Sequence, residues 1–376
     1  MQSRIELVKR SPAEEILTEE RLKSYIENGE KLKHYIGFEI SGLVHVGTGL
    51  LCMSKVADFQ EAGIETNIFL ADYHSWINKK LGGDLTEIKK IAGGYFKEAL
   101  KKSIECVGGD PSKVNFVLGS ELYKKLGIDY FETVLKISDK VTLSRAKRSV
   151  TIAGRKEGES LSLAQYIYPA MQVADIYAQG VNIAHAGMDQ RKAHVIAIEV
   201  SKHFDYVPVA VHHHLLMGIS MTEEQRKRLL EAKKSGSKEE IQEELIDIKM
   251  SKSRPDSAIF IHDTEEEIKK KIEKSFCPIK ETEFNPVIDL LNYIIWPVLN
   301  KRGERLEIER KDGKTAYFSS AEEFNDSYVK GEVHPMDLKK SVADMLTEIL
   351  EPARKYFNEG NGRKYLEDLK SITITR

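Results

Sequence analysis

The chain has 376 residues, which is enough for two domains, each with its own core. Its 57 Lys and Arg residues nearly balance 59 Asp and Glu residues, so an RNA partner would need a local basic patch rather than a generally basic surface. Three widely spaced cysteines and the lack of an apolar run of transmembrane length argue against a disulfide framework, a zinc site and a membrane protein, and favour a cytoplasmic location.

The first predicted element is a helix near the N-terminus. Ser11, Pro12 and Glu14 have the spacing of a capping box with proline at the first helical position. A charged segment follows to about Asn28, and Gly29 is a typical residue to end it. We therefore predict a surface helix that packs the N-terminus onto the core.

Residues 35–47 predict a short strand and a turn, and residues 48–62 predict a helix with apolar periodicity. A strand, a turn and a helix N-terminus can bind phosphate, because the free N–H groups and the helix dipole both favour negative charge. His45 adds a donor, and Gly47 lets a nucleotide lie close to the backbone. The alternative is an ordinary strand–helix connection with a solvated histidine.

Strands and helices alternate through the next part of the chain. Residues 67–71 form a continuous apolar run, as expected of a buried parallel strand, and Asp72 and His74 follow at its end. Ligands in open α/β sheets bind beyond the carboxyl ends of strands, so His74 is either a ligand contact or a structural histidine. A capped helix then leads to another strand at residues 114–118, and the alternation continues to about residue 211. This order predicts an α/β fold with a Rossmann-like, doubly wound parallel sheet.

Arg145, Lys147 and Arg148 form the densest basic cluster in the first half of the chain. Such a cluster is usually a solvated face. In a chain that is nearly neutral overall, it is also a candidate contact for RNA phosphates.

A helix with an unusual polar stripe is predicted to begin at Tyr168. Tyr168, Gln172, Asp175 and Gln179 recur at helical spacing among mostly apolar neighbours. A helix that is apolar over most of its circumference is buried, and burying Gln and Asp without partners is costly. We therefore favour a ligand pocket over exposure at a domain edge, particularly because the polar segment 187–190 follows another short strand.

Three further segments precede the C-terminal part. The consecutive histidines at 212–214 are predicted to end a strand near a nucleotide, and no protein-held metal is expected, because adjacent strand residues point to opposite faces. Residues 222–244 are rich in Lys and Glu and are interrupted by Gly236, which predicts a helical surface insertion. Residues 249–253 combine two lysines with two serine hydroxyls, the composition of a mobile clamp for a polyphosphate.

From Pro255 onward the pattern predicts a smaller, mainly helical domain. Asp312 and Gly313 between two short alternating segments are a strong hairpin signal. Helices are predicted around that hairpin at about 263–275, 286–299 and 336–350.

Two motifs make the sequence resemble a known family. Residues 45–48 are similar to the HIGH motif of class I aminoacyl-tRNA synthetases, with Thr48 in the last place, and residues 249–253 are identical to their KMSKS motif. The similarity continues at residues 70–74, 168–175, 187–192 and 334–338. With these segments, nearly the whole chain resembles the archaeal/eukaryotic-type tyrosyl-tRNA synthetases.

The resemblance implies a catalytic domain over residues 1–254 and an anticodon-recognition domain over residues 255–376. The catalytic residues that it implies are His45, Gly47, Lys249 and Lys252. The ATP-binding residues that it implies are Gly37, Glu39, His45, Gly47 and Lys252. Around the tyrosine it implies Tyr35 and Asp175 at the phenol hydroxyl, and Tyr168, Gln172 and Gln190 at the ammonium end. The expected tRNA contacts are Asp337 with the anticodon, and Arg145 and Arg148 of the basic cluster.

The implied reaction has two steps. The tyrosine carboxylate attacks the α-phosphorus of ATP, and the terminal ribose of tRNA(Tyr) then takes the tyrosyl group. Both attacking groups belong to substrates, so the protein needs to supply only position and electrostatics. Mg²⁺ is expected to arrive with ATP rather than in a protein cage. The family also implies a homodimer.

Three alternatives remain at this point. A tryptophanyl-tRNA synthetase shares the fold and motifs, but an indole has one donor and no acceptor, which suits Tyr35 and Asp175 poorly. A small-molecule nucleotidyltransferase would not need the predicted C-terminal domain. A non-catalytic RNA-binding paralogue would not need both Lys249 and Lys252.

Overall fold

The computed structural model of the chain describes residues 2–155 and 159–374. Its strands are β1 (Ala13–Leu17), β2 (Lys33–Phe38), β3 (Glu65–Leu70), β4 (Val114–Leu118), β5 (Ile183–Gly187), β6 (Val209–His213), β7 (Leu306–Glu309) and β8 (Thr315–Phe318).

The first six strands form one sheet in the order β1-β6-β5-β2-β3-β4. β1 is antiparallel to β6, and the other four pairings are parallel. Tyr35 in β2 lies opposite Asn67 in β3 and Ala184 in β5, so these strands end at the same edge. The predicted Rossmann-like parallel sheet is confirmed, with an antiparallel strand added at one edge.

The helices surround this sheet and form most of the C-terminal part. They are α1 (Gln2–Lys9), α2 (Glu19–Glu27), α3 (Cys52–Glu61), α4 (Asp72–Ile77), α5 (Leu85–Ile91), α6 (Lys97–Cys106), α7 (Gly119–Leu126), α8 (Ile128–Ser138), α9 (Leu143–Ser149), α10 (Leu163–Ala178), α11 (Arg191–Val200), α12 (Glu223–Ser235), α13 (Lys238–Ile248), α14 (Glu265–Lys274), α15 (Pro286–Leu290), α16 (Trp296–Arg302), α17 (Ala321–Lys330), α18 (Pro335–Ile349), α19 (Glu351–Asn358) and α20 (Arg363–Ile374). Wider π turns occur at Gly47–Leu51, Ala92–Phe96 and Leu291–Ile295. Among the described residues, no helix has the length and apolar character needed to cross a bilayer.

The helix predicted after the turn is confirmed, and it begins with a π turn. Gly47–Leu51 forms that turn and α3 continues it, ending just before Gly63, whose φ is +68°. Gly49 packs tightly here, because a Cβ would lie 2.6 Å from Ser103 Oγ and 2.9 Å from Ile261 Cγ2. Glycine is therefore required for this turn to approach α6 and the segment after residue 257.

The helix predicted to begin near Pro12 is wrong over its first half. Residues 13–17 form β1, and the helix begins only at Glu19. Glu14, the expected capping residue, instead bonds to His214 Nδ1 at 2.6 Å. Backbone pairing with β6, together with such cross-strand contacts, outweighs the local helix signal.

The helix predicted to begin at Tyr168 begins five residues earlier. Ser162 and Gln165 form a reciprocal capping box, and Pro169 lies inside α10. Ser162 and Gln165 have the capping-box spacing in the sequence itself. Tyr168 is therefore in the second turn of the helix and points toward the sheet edge, where it contacts Glu39.

The later predictions agree more closely with the structure. The insertion consists of α12 and α13 on either side of Gly236, whose φ is +76°. β7 and β8 form the predicted hairpin, and α14, α15, α16 and α18 correspond to the predicted C-terminal helices.

One hydrophobic cluster runs from the sheet into the C-terminal helices. Leu50 and Tyr95 belong to it together with Ile288 and Phe357, and the rings of Tyr95 and Phe357 are 5.3 Å apart. The C-terminal part therefore packs directly against the helices that follow β2. The division of the chain at residue 254 stays a prediction.

Candidate active site

The turn after β2 forms one side of the candidate active site. His45 forms an isolated antiparallel bridge with Phe260, and the Val46 amide donates to the Ile259 carbonyl at 2.9 Å. The Thr48 amide donates to His45 Nδ1 at 3.3 Å, and Thr48 Oγ1 lies 3.2 Å from His45 Nε2. The histidine is thus oriented by Thr48, and its backbone is held by the segment just after the lysine loop.

The imidazole of His45 is neutral. Burial lowers its pKa to about 3, and the positive charges of Lys252 and Lys249 act in the same direction. Because Nδ1 accepts from the Thr48 amide, the ring hydrogen lies on Nε2. His45 can therefore offer one uncharged N–H to a ligand oxygen.

Lys252 reaches from its loop to the turn after β2. Its Nζ contacts Ser41 Oγ, and its Cδ lies 3.7 Å from where a Cβ of Gly42 would be. Burial lowers the pKa of Lys252 to about 8, with a further lowering by Lys80 and an opposing effect of Glu39. The structure thus brings together the turn and the lysine loop that the sequence marked separately.

Lys249 has a different partner from Lys252. Its Nζ forms an ion pair with Asp189, which follows β5. Burial alone would raise the pKa of Asp189, but the attraction of Lys249 lowers it overall. One lysine therefore lies at the end of β2 and the other at the end of β5, two neighbouring strands.

Asp175 is fully buried among tyrosine side chains, and we call this group of residues the slot. Its Oδ1 accepts hydrogen bonds from the hydroxyls of Tyr123 and Tyr130, both at 2.9 Å. Its Oδ2 has no hydrogen-bond partner among the described residues and is 3.6 Å from His74 Nε2. Burial raises the pKa of Asp175 well above its ordinary value, although the two phenol donors oppose this. Tyr35 is buried nearby, and burial followed by the charge of Asp175 raises the pKa of its hydroxyl.

His74 belongs to the same slot, while Asp72 has a structural role. Neither ring nitrogen of His74 has a hydrogen-bond partner among the described residues, and the ring lies edge-on to Tyr168 at 4.6 Å. Burial lowers its pKa to about 3, so it is a neutral polar group. Asp72 Oδ1 accepts from the amides of Tyr73 and Ser120, both at 2.9 Å, which joins α4 to α7.

A second polar group lies at the other end of the slot. The Tyr168 hydroxyl donates to Glu39 Oε1 at 2.9 Å, and Glu39 also pairs with Lys80 at 3.3 Å. Gln172 Nε2 donates to Gln190 Oε1 at 3.1 Å. Gln172 Oε1 is buried without a partner among the described residues, so one acceptor in this group is open.

Gln179 and Gly37 have different contacts from those predicted from the sequence. Gln179 ends α10 and donates to the Asp175 backbone carbonyl at 3.0 Å, so it does not share the slot with Tyr168 and Gln172. A Cβ on Gly37 would lie 2.6 Å from the hydroxyl of Tyr35. The glycine at 37 therefore makes room for a slot residue, whatever else it contacts.

Sequence reasoning missed Tyr123, Tyr130 and Lys80. The two tyrosines are 52 and 45 residues away from Asp175 along the chain and lie on α7 and α8. No local pattern marks them, because only the packing of α8 on α10 brings them to the carboxylate. Lys80 lies in the short segment between α4 and α5, where it could have been noticed as a basic residue.

The side chains of the predicted tRNA contacts form no hydrogen bond or ion pair with the slot residues among the described residues. Arg145 forms an ion pair with Glu199, whereas Arg148 is exposed on α9. Asp337 lies in the first turn of α18, whose cap is His334: the Met336 amide donates to His334 Nδ1 at 3.1 Å. Asp337 is therefore not needed as the capping residue.

The three consecutive histidines have separate partners. His212 Nδ1 lies 2.8 Å from Glu15 Oε2, and His213 Nδ1 lies 2.7 Å from His185 Nε2. His214 lies between Glu14 and Asp289. The predicted alternation of faces along the strand is confirmed.

Known proteins share this fold and these motifs. The chain matches the family of class I tRNA synthetases (W and Y) over residues 27–351. It is 51% identical to the tyrosine–tRNA ligase of Thermococcus sibiricus and 50% identical to that of Pyrococcus furiosus, over the full length of each protein. The structure of tyrosyl-tRNA synthetase complexed with L-tyrosine from Pyrococcus horikoshii superposes with a TM-score of 0.90, at 49% identity, covering 98% of this chain and 99% of the other.

The chain therefore belongs to the class I tRNA synthetases for tryptophan and tyrosine. Within that family its full-length similarity is to the archaeal tyrosine–tRNA ligases, which confirms the resemblance drawn from the motifs.

Proposed function

We propose that the chain activates L-tyrosine with ATP to form tyrosyl-adenylate and transfers the tyrosyl group to the 3′ end of tRNA(Tyr). One observation supports this most directly. Lys252 contacts the Ser41–Gly42 turn, which follows β2. The same strand, β2, carries Tyr35 of the slot around Asp175. This arrangement supports a triphosphate site next to a phenol site.

Asp175 supports tyrosine as the amino acid. Its Oδ2 is buried and open, so an incoming ring meets a polar atom that needs a partner. A phenol hydroxyl satisfies that atom in either protonation state, by donating to the carboxylate or by accepting from the acid. A phenyl ring does neither. Tyrosyl-tRNA synthetases are the known example of such selection, with tyrosine preferred over phenylalanine by about 10⁵.

The ammonium end of tyrosine is assigned to Gln172, Gln190 and Tyr168. Gln172 Oε1 is an open buried acceptor, and Gln190 Oε1 is an acceptor beside it. Tyr168 is bonded to Glu39, whose carboxylate adds negative charge near a bound cation. These groups hold the amino acid so that its carboxylate is directed toward the turn after β2.

The triphosphate is assigned to His45, Gly47, Lys249 and Lys252. His45 supplies a neutral N–H, and the two lysines supply positive charge to the leaving pyrophosphate. Lys249 must leave Asp189 to reach a phosphate, so ATP binding exchanges one ion pair for another. Gly37 and Glu39 are assigned to the nucleotide side of β2.

Magnesium is assigned to ATP rather than to a protein cage. The described carboxylates nearest the turn are already engaged, Glu39 by Lys80 and Asp189 by Lys249. His45 and Lys252 at the turn offer nitrogen donors, which Mg²⁺ does not prefer. The ion would therefore bind the phosphate oxygens and enter as part of the substrate.

The remaining partners are tRNA and a second copy of the chain. We assign residues 255–376 to the anticodon, with Asp337 as a contact. We assign Arg148 to RNA phosphates, and also Arg145 once it is released from Glu199.

Ile128, Phe131 and Leu135 are 64%, 55% and 51% exposed on one side of α8, which we call the α8 face. Such an apolar face in a water-soluble enzyme favours a homodimer interface. We also assign the protein to the cytoplasm, where its separate thiols would remain reduced.

ATP–pyrophosphate exchange with each of the twenty amino acids tests the proposed function. Exchange should depend on tyrosine, and charging with labelled tyrosine should require tRNA(Tyr). Exchange that is faster with tryptophan than with tyrosine would contradict the assignment of the slot.

A further inference from the structure

A row of buried hydrogen bonds crosses three neighbouring strands and ends at the turn. His34 Nε2 lies 3.1 Å from His185 Nδ1, and His185 Nε2 lies 2.7 Å from His213 Nδ1. His213 Nε2 lies 3.5 Å from Cys52 Sγ, which donates to the Gly47 carbonyl at 3.3 Å. We call these four residues with Gly47 the histidine row. Its histidines are at most 6% exposed, so water has little access to them.

The single hydrogen of the Cys52 thiol fixes the direction of hydrogen-bond donation along the whole row. Burial raises the pKa of this thiol, so it keeps its hydrogen. If that hydrogen goes to the Gly47 carbonyl, Sγ can only accept from His213, which then carries its hydrogen on Nε2. His213 Nδ1 must then accept from His185 Nε2, and His185 Nδ1 must accept from His34 Nε2. Both of these rings therefore also carry their hydrogen on Nε2.

An unpartnered atom at the far end agrees with this direction. His34 Nδ1 is buried without a hydrogen-bond partner among the described residues. In the direction given above, that atom is an open acceptor. In the reverse direction it would be a buried N–H without an acceptor, which folded proteins rarely contain. Burial lowers the pKa of His34 and His213 to about 3, in keeping with neutral rings.

We propose that His213 and Cys52 are positioning residues for ATP activation, because the histidine row holds the Gly47 carbonyl and with it the backbone that approaches the nucleotide. Gly47 lacks a side chain that could fix it, and it begins a π turn rather than a regular α-helical turn. Cys52 is the first residue of α3, so the row ties both ends of that turn to the sheet. This inference rests on the proposed function, since it assumes that the turn binds ATP.

The decisive experiment compares three cysteine variants in ATP–pyrophosphate exchange. Cys52→Ala removes the donor to Gly47, whereas Cys52→Ser keeps a donor and an acceptor. Cys106→Ala is the matched control, because Cys106 is also buried, at 5% exposure against 4% for Cys52, but ends α6. We expect Cys52→Ala to lower kcat/KM for ATP about tenfold, as for loss of one buried hydrogen bond, with KM for tyrosine changed less than twofold. Cys52→Ser should recover most of the loss, and Cys106→Ala should show none.

A second measurement examines His213 directly. His213→Leu should lower kcat/KM for ATP about as much as Cys52→Ala, and the double variant should lose little more, because both break the same row. In the wild type, nitrogen NMR of the histidine rings should show His34, His185 and His213 as neutral rings with the hydrogen on Nε2.

These outcomes separate the inference from the proposed function. If the wild type shows no tyrosine-dependent exchange, the proposed function fails. If the wild type is active but Cys52→Ala matches Cys106→Ala in every kinetic constant, the positioning role is refuted. Equal loss in Cys52→Ser and Cys52→Ala, additive losses in the double variant, or a histidine of the row with its hydrogen on Nδ1 would also overturn it.

Discussion

Asp175→Ala removes the acceptor on which we expect the preference for tyrosine to depend. With Asp175 present, phenylalanine leaves Oδ2 buried and unpaired. A preference of about 10⁵ corresponds to roughly 7 kcal/mol. Without the carboxyl, the two rings differ mainly by the desolvation of the substrate hydroxyl. We therefore expect the ratio of kcat/KM for the two amino acids to fall to within about tenfold.

The same substitution also affects stability, which must be separated from selectivity. Tyr123 and Tyr130 both donate to Asp175, so two buried hydroxyls lose their acceptor. At roughly 1–3 kcal/mol for each unpaired group, the free energy of unfolding falls by about 2–6 kcal/mol. The two rings are stacked at 4.0 Å, so mutual hydrogen bonding can recover part of that loss.

A triple variant distinguishes the two effects. Adding Tyr123→Phe and Tyr130→Phe to Asp175→Ala removes the unpaired hydroxyls, and replacing all partners by apolar groups can be nearly neutral. We expect the triple variant to regain stability in urea unfolding without regaining the preference for tyrosine. Pyrophosphate exchange with tyrosine and with phenylalanine gives the ratio for each variant. A ratio that stays near that of the wild type in either variant would refute the role of Asp175.

Three further predictions concern other parts of the molecule. Lys252→Ala should slow adenylate formation by about 10²–10³ in single-turnover experiments while tyrosine affinity changes little, because the charge is needed at the leaving pyrophosphate; equal losses in both would count against this. Asp289 and Glu14 outweigh burial and raise the pKa of His214 to about 10, so its stabilisation is complete below about pH 6.5 and is lost as pH rises toward 10. Urea midpoints from pH 6.5 to 10 should therefore fall less in His214→Gln than in the wild type, and parallel curves would disprove the link. Phe131→Glu on the α8 face should convert a dimer to a monomer in analytical ultracentrifugation, while Tyr317→Glu, at a residue 53% exposed on β8, should not; a dimer that survives Phe131→Glu would place the interface elsewhere.

The parts of the site that follow from sequence are those encoded in continuous segments. The turn after β2, the π turn and α3 are adjacent in the chain, so their signals occur together. Lys252 could also be placed, because the lysine loop has a distinctive composition. The structure adds that this lysine contacts Ser41, which is 211 residues away. No periodicity could have given that distance.

The errors arose where tertiary contacts outweigh local preference. The segment 13–17 has good helix formers, but its two glutamates bond to His212 in β6 and to His214 directly after β6. Gln179 has helical spacing with the slot residues, but α10 ends there and its amide turns back to the backbone. Tyr123 and Tyr130 could not be predicted from the sequence, because only the packing of α7 and α8 against α10 brings their hydroxyls to Asp175.

In the proposed assignment, β2 and its turn place the successive parts of the reaction in chain order. Tyr35 lies in the phenol slot, and Glu39, which contacts Tyr168, lies at the ammonium end. Glu39 directly follows β2, so it lies further along the same segment of chain than Tyr35. Ser41 then contacts Lys252, and His45 completes the turn. In this assignment a carboxylate held beyond Glu39 is directed at a phosphate held by Lys252, so one continuous segment of chain can align both substrates for attack.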